Sequence, residues 1–135
     1  MPAVARLGLV LVLALSLPLA CGGDDEADDP PLEGTEWTLV SGVDAPEDAP
    51  PTLLLEEGRA SGFGGCNRFT GGYELDGDSI SFQQLASTQM ACEEPQAAAE
   101  DAYLPALEGA DGWAVEGGEL VLSTGGGETL RFSAA

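Results

Sequence analysis

From Thr35 onward, short runs in which apolar and polar positions alternate are separated by clusters of Gly, Asp and Pro. Successive side chains of an extended chain point to opposite faces, so this period of two predicts half-buried strands. Trp37 and Leu39 alternate with Glu36 and Thr38 as a first strand, and the Pro- and acid-rich stretch Ser41–Pro51 reads as a loop. Thr52–Glu56 and Arg59–Phe63 flank Glu57–Gly58 as a hairpin. The clearest hairpin has Tyr73 and Leu75 alternating on one side of Asp76–Gly77–Asp78 and Ile80 and Phe82 on the other. A last hairpin pairs Glu119–Ser123 with Glu128–Phe132 across Thr124–Gly127. The expected fold class is mainly β within α+β, a compact antiparallel sheet.

One helix interrupts the strands. Glu93 and Glu94 precede Pro95, a favourable first helical position, and Gln96–Leu107 is Ala-rich with Ala99, Tyr103, Ala106 and Leu107 near one face. Pro105 removes the hydrogen bond to the Asp101 carbonyl, so the last turn is expected to kink or split. Gly109 and Gly112 end the element before Trp113–Val115 returns to the sheet.

The first twenty residues have a different pattern. Leu7–Leu19 is an apolar run behind a single Arg6 and ends in Ala20–Cys21, the layout of an export signal. Thirteen helical residues span about 20 Å, short of the roughly 30 Å a hydrocarbon core requires. Cys21 after Leu19–Ala20 resembles a bacterial lipobox, with Pro18 departing from the usual Leu. The resemblance implies lipidation at Cys21, attachment to a membrane through the lipid, and an exported domain facing periplasm or exterior. Residues 21–34, rich in Gly, Asp, Glu and Pro, are too poor in apolar side chains to support ordering and are expected to form an acidic flexible tether ahead of a domain over 35–135.

Charge then narrows the function. The 135 residues carry 24 Asp plus Glu against four Lys plus Arg, with no His, for a formal charge of −20. Such a surface repels phosphate backbones and excludes autonomous nucleic-acid binding. Without His there is no imidazole-based triad and none of the commonest zinc ligand. Asp76–Gly77–Asp78 is explained by turn chemistry rather than a cation loop. Gly125–Gly127 lacks the Lys and Ser/Thr of a phosphate-binding loop. No cofactor is expected.

Two segments remain, Gly64–Gly65–Cys66–Asn67–Arg68–Phe69–Thr70–Gly71–Gly72–Tyr73 and Leu85–Ala86–Ser87–Thr88–Gln89–Met90–Ala91–Cys92. They resemble the GCNRF-x-G-x-Y and ST-x-MAC hallmarks of the META domain, or HslJ-like, family. Its motif positions fall on Gly65, Cys66, Asn67, Arg68, Phe69, Gly71, Tyr73, Thr88, Met90 and Cys92, and the resemblance runs from about Gly34 to Phe132. It implies a β-rich, partly barrel-like fold with one helix, often exported or lipid-anchored and linked to stress, with no catalytic residues to carry across.

Read from their chemistry, these residues are mostly structural. In an oxidising envelope Cys66 and Cys92 pair most simply as a disulfide, with free buried thiols or a redox pair as alternatives. Asn67 suits a sharp turn. Arg68 either forms a structural ion pair with a carboxylate or presents its guanidinium to an anionic partner group. Phe69, Tyr73, Trp37 and Trp113 are expected in the core, and Gly62, Gly64, Gly65, Gly71 and Gly72 at bulges or close approaches. The leading functional expectation is a non-enzymatic, lipid-anchored envelope protein that contacts another envelope protein under stress. The alternatives are a small barrel holding an apolar molecule and a hydrolase using paired carboxylates.

Overall fold

A computed structural model describes residues 29–134; the expected export signal, Cys21 and the start of the expected acidic tether lie outside the described residues. The strands are β1 (Glu36–Ser41), β2 (Thr52–Glu56), β3 (Arg59–Phe63), β4 (Arg68–Asp76), β5 (Ser79–Ser87), β6 (Ala110–Glu116), β7 (Glu119–Thr124) and β8 (Thr129–Ala134), with helix α1 (Gln96–Glu108) between β5 and β6. Each strand pairs antiparallel with the next and β1 pairs with β8, giving a closed eight-stranded meander. Closure leaves no free sheet edge except where β5 meets β6, whose register is a single pair, Ser79 with Gly112.

Register explains why this sequence closes. Apolar positions oppose one another across neighbouring strands: Trp37 with Leu53, Leu55 with Ala60, Tyr73 with Phe82, Leu122 with Leu130, and Leu39 with Phe132. The alternate residues therefore share one face, which curls inward to become the core. Eight strands enclose a lumen just wide enough for side chains. Trp37, Leu53, Leu55, Leu120, Leu122, Phe132 and the helix residue Tyr103 have no exposed surface, so no water-sized void adjoins them. The interior is occupied by side chains, and the expectation of an apolar molecule inside the barrel is corrected accordingly.

The hairpin turns match the expected sequence chemistry. Glu57 and Gly58 both have positive φ, and so do Gly117 and Gly118, as two-residue turns compatible with strand twist require. The bulge anticipated near Gly71 is present, with β4 and β5 shifting register between Thr70 and Gly72 and Gln84 at φ 52.

The two mouths of the barrel are closed differently. At one, α1 inserts Tyr103 and Leu107, and Tyr103 meets Phe69 and Phe132 edge-on at 6.0 and 6.3 Å. Its hydroxyl donates to the Thr52 carbonyl at 2.9 Å. Contrary to expectation the helix is not split at Pro105 and continues to Glu108. Pro105 lies on the exposed face while Tyr103 and Leu107 on either side of it are buried, so core packing holds the turn that the missing hydrogen bond weakens. The helix starts one residue later than expected, with Pro95 as its cap, and the Glu94 carboxylate accepts from Ala98 N at 3.0 Å.

At the opposite mouth sits the chain that precedes β1. Leu32 is buried in the core cluster, its carbonyl accepting the Trp37 indole N–H at 3.0 Å. Gly34 N donates to the Leu55 carbonyl at 2.8 Å, and the Asp29 carboxylate accepts from Gly118 N at 2.7 Å. The spacer expected to reach Gly34 is therefore corrected: its last residues, Asp29 to Gly34, pack as a plug, because Leu32 supplies the apolar side chain that composition averaged over the segment conceals.

Candidate functional site

The two motif segments meet beside α1. Gly64 N donates to the Asn67 carbonyl at 2.8 Å, closing the turn that leads into β4. Gly65 takes φ +121 and lies against the helix, where a Cβ would sit 3.0 Å from Glu100 N and 3.1 Å from Ala99 Cβ. Only glycine satisfies both conditions. The close approach brings the Glu100 carboxylate onto the turn: Oε1 accepts from Asn67 N at 2.7 Å and Oε2 from Asn67 Nδ2 at 2.8 Å.

Asn67 is the one buried polar side chain among the described residues, and its bonding capacity is fully used. Besides Glu100, Nδ2 donates to the Met90 carbonyl at 3.2 Å. Oδ1 accepts from the Thr88 hydroxyl at 2.9 Å and from Met90 N at 2.8 Å. Thr88 N donates to the Arg68 carbonyl at 3.1 Å. One carboxamide thus ties the start of β4, the chain following β5 and the middle of α1 together. Cys66 and Cys92, joined in a disulfide with Cα atoms 5.9 Å apart, clamp the same junction.

The other motif residues are distributed over the barrel. Phe69 is core, and Gly71 lies under Leu85, where a Cβ would come within 2.9 Å of the Gln83 carbonyl. Tyr73 is buried in the wall, and its hydroxyl donates to the Glu33 carboxylate of the N-terminal plug. Burial foremost, and then that bond, push the Tyr73 phenol up to about 12. Burial alone raises Tyr103 well above the usual phenol range. Trp37 is buried as expected, whereas Trp113 is half-buried, its indole donating to the Gly77 carbonyl at 3.1 Å.

Arg68 departs from its expected structural role. It is exposed, and the one ion pair among the described residues is Arg131 with Glu119 at 3.4 Å. Arg68 instead lines a cleft of about 330 Å³ together with Ser61, Thr70 and Thr88. A larger polar cleft, about 560 Å³, opens over the junction between the chain at Ser87–Ala91 and α1 residues Asp101 and Leu104, with Asn67 and Glu100 at its floor. Met90 stands at its rim, 65% exposed.

Glu100 and Glu33 are the two residues of this machinery that the sequence reading missed. Glu100 has no local signal beyond sitting beside Ala99 on the helix, and Glu33 is one of several acids in a stretch that reads as solvated. Among the described residues no group of three or more Cys, Asp or Glu is placed to hold a metal ion, and every buried side-chain N or O atom has a hydrogen-bond partner. The junction is chemically an intramolecular lock.

Fold and junction together define a small closed antiparallel barrel, stoppered by one helix and fastened to it by an Asn–carboxylate pair and a disulfide. The META domain family model matches residues 30–135, and the chain belongs to that family. The matched region begins at the packed plug rather than at β1. The barrel is similar to an NMR structure of a protein from Burkholderia xenovorans, with 35% identity, 77% of this chain and 83% of that chain covered, and a TM-score of 0.67. A second NMR structure is 27% identical, covers 76% of this chain and 90% of the other, and has a TM-score of 0.56. A DUF4847 family protein from Bacteroides vulgatus, 12% identical over 76% of this chain and 93% of its own, shares the fold with a TM-score of 0.58. No curated protein matches the chain at a significant level.

Proposed function

We propose that this protein is a lipid-anchored, non-enzymatic module of the bacterial cell envelope that works by contacting another envelope protein, in a stress-related role. The observation that carries this reading is the use to which the motif is put: Asn67, Glu100, Thr88, Met90, Cys66 and Cys92 are committed to one another. A motif spent on rigidity builds a fixed surface, and fixed surfaces bind with little ordering cost. The apolar leader ending at Ala20–Cys21 supports export and acylation, and the disulfide suits an oxidising compartment.

Mass spectrometry of the non-reduced protein isolated from membranes tests the anchor and the cross-link together. The expected product begins at Cys21 with acyl groups attached and is two hydrogens lighter than the dithiol. A cytoplasmic product retaining its leader would overturn the reading. Cross-linking in intact cells should then recover a reproducible protein neighbour; recovery of none, with the acylated protein present, would remove the contact function.

A further inference from the structure

The fold consumes most of the motif: Asn67, Thr88, Cys66 and Cys92 hold one another, and Phe69 and Tyr73 are buried. Arg68 is left over. It is exposed and pairs with no carboxylate among the described residues. The other described arginines are placed against acids. Arg131 pairs with Glu119, and Arg59 stands opposite Glu56 across the β2–β3 turn, whereas the residue opposite Arg68 on β3 is Phe63.

The surroundings of Arg68 are as unusual as its lack of a partner. In a chain with 24 acidic residues among 135, no carboxylate lines the cleft of about 330 Å³ to which Arg68 belongs. Alternation puts Arg68 and Thr70 on the same outer face of β4, about 7 Å apart along the strand, with the buried Phe69 between them. Ser61 lies directly opposite Thr70 on β3, about 5 Å away between Cβ atoms. The neighbouring Thr52 and Thr88 hydroxyls are engaged with Phe63 N and Asn67 Oδ1, while those of Ser61 and Thr70 bond no described residue. One cation and two uncommitted hydroxyls therefore share one wall of the barrel.

A guanidinium holds a carboxylate at two points, so the charge selects an oxyanion and the planar fork favours a carboxylate. The hydroxyls narrow the choice. A carboxylate at a chain end has an amide N–H on the adjoining carbon, close enough for Ser61 or Thr70 to accept from it, whereas methylene carbons separate a side-chain carboxylate from its own amide. The cleft is also at the small end of the range for ligand sites, which suits a chain end better than a helix or a folded face.

Deepening the contact function proposed above, and resting on it for the partner being a protein, we propose that the Arg68 cleft captures the free C-terminal carboxylate of a partner polypeptide. Arg68 takes the carboxylate, and Ser61 and Thr70 take the last amide. The acidity of the chain does not prevent this, because exposed charges beyond about 8 Å are screened at physiological ionic strength. The Glu100 carboxylate has both oxygens occupied by Asn67.

The test uses the isotope-labelled protein as its host cell makes it, purified in zwitterionic detergent so that the result does not depend on acylation. The probes are acetyl-Ala-Ala-Ala with a free carboxylate, the same peptide as its C-terminal amide, and acetyl-Ala-Glu-Ala amide. Saturable resonance shifts at Thr70, Ala86 and the Arg68 guanidinium are expected, with the free acid binding about tenfold tighter than either amide. Absence of saturation with the free acid, or equal binding of the alanine amide, overturns the site; equal binding of the glutamate peptide overturns the chain end as its occupant. Arg68→Gln should abolish the shifts and leave the melting temperature unchanged, since the side chain is exposed. Arg131→Gln removes the same charge elsewhere and should keep affinity within about twofold; an equal loss from both variants overturns the site in favour of overall charge. Ser61→Ala combined with Thr70→Ala should weaken the free acid about threefold, and no loss overturns the role of the hydroxyls. The contact function is read separately: if cross-linking in intact cells recovers the same neighbour equally well with Arg68→Gln, that function stands and this site falls.

Discussion

Asn67 and Glu100 lie 33 positions apart and are joined by two hydrogen bonds, from Asn67 N at 2.7 Å and from Asn67 Nδ2 at 2.8 Å, that present both donors of one residue to both oxygens of one carboxylate. This two-point contact fixes the helix against the barrel in position and in rotation, which a single bond could not do.

Asn67→Ala should therefore cost roughly 2–4 kcal/mol, because it strands the Met90 amide and one Glu100 oxygen in a partly buried site. Asn67→Asp should cost at least as much, replacing a donor facing Glu100 with a second carboxylate. Denaturation midpoints in urea check both, and a loss below about 1 kcal/mol for either would contradict the lock.

Reduction of Cys66–Cys92 removes a 26-residue cross-link, a loss of roughly 3–4 kcal/mol on loop-closure grounds. The reduced protein should nonetheless stay folded, since Asn67 still holds Thr88 and Met90. Combining Cys66→Ser and Cys92→Ser with Asn67→Ala should lose the helix signal in circular dichroism at a temperature where each set alone retains it.

The chain has two tyrosines, both buried with raised phenol ionisation, Tyr73 to about 12. A folded value above the unfolded value near 10 means the native state holds its proton longer, so this contribution is fully present below pH 10 and is lost as pH rises toward 12. Absorbance at 295 nm should stay flat through pH 10 and rise only with unfolding. A normal phenolate titration in the folded protein would contradict this. Tyr73→Phe should cost about 1 kcal/mol through the lost Glu33 bond.

Gly65→Ala should destabilise by about 2–3 kcal/mol, combining a left-handed backbone with a collision against α1. Gly77→Ala, at φ +60 but with nothing within 4 Å of the added carbon, should cost about 1 kcal/mol. Equal costs in thermal melts would show that backbone strain alone matters at Gly65.

Leu32→Ala should cost about 2–4 kcal/mol by opening a cavity at the plugged mouth, a penalty no residue of a solvated spacer would carry. A chain starting at Thr35 should melt well below one starting at Asp29. Indistinguishable melting would place the domain boundary after the plug.

The strands, their turns and the core residues were legible because alternation and turn chemistry are local: Tyr73, Leu75, Ile80 and Phe82 around Asp76–Gly77–Asp78 declare a hairpin without reference to the rest of the chain. The helix was legible for the same reason, and its survival through Pro105 was not, because that depends on Tyr103 and Leu107 finding a barrel to fill. Leu32 was hidden for a related reason: one leucine among acids has no period, and its burial exists only once the barrel offers a mouth.

The sequence by itself determined a small, acidic, helix-bearing antiparallel domain with a paired-cysteine motif, since periodicity, charge and motif spacing are properties of the chain alone. Tertiary structure decided that the sheet closes, that Arg68 faces solvent, that Glu100 completes the motif and that the N-terminal plug selects one end of the barrel. Each of these joins residues far apart in the chain, and only the fold brings such residues within the few ångströms over which packing and hydrogen bonds act.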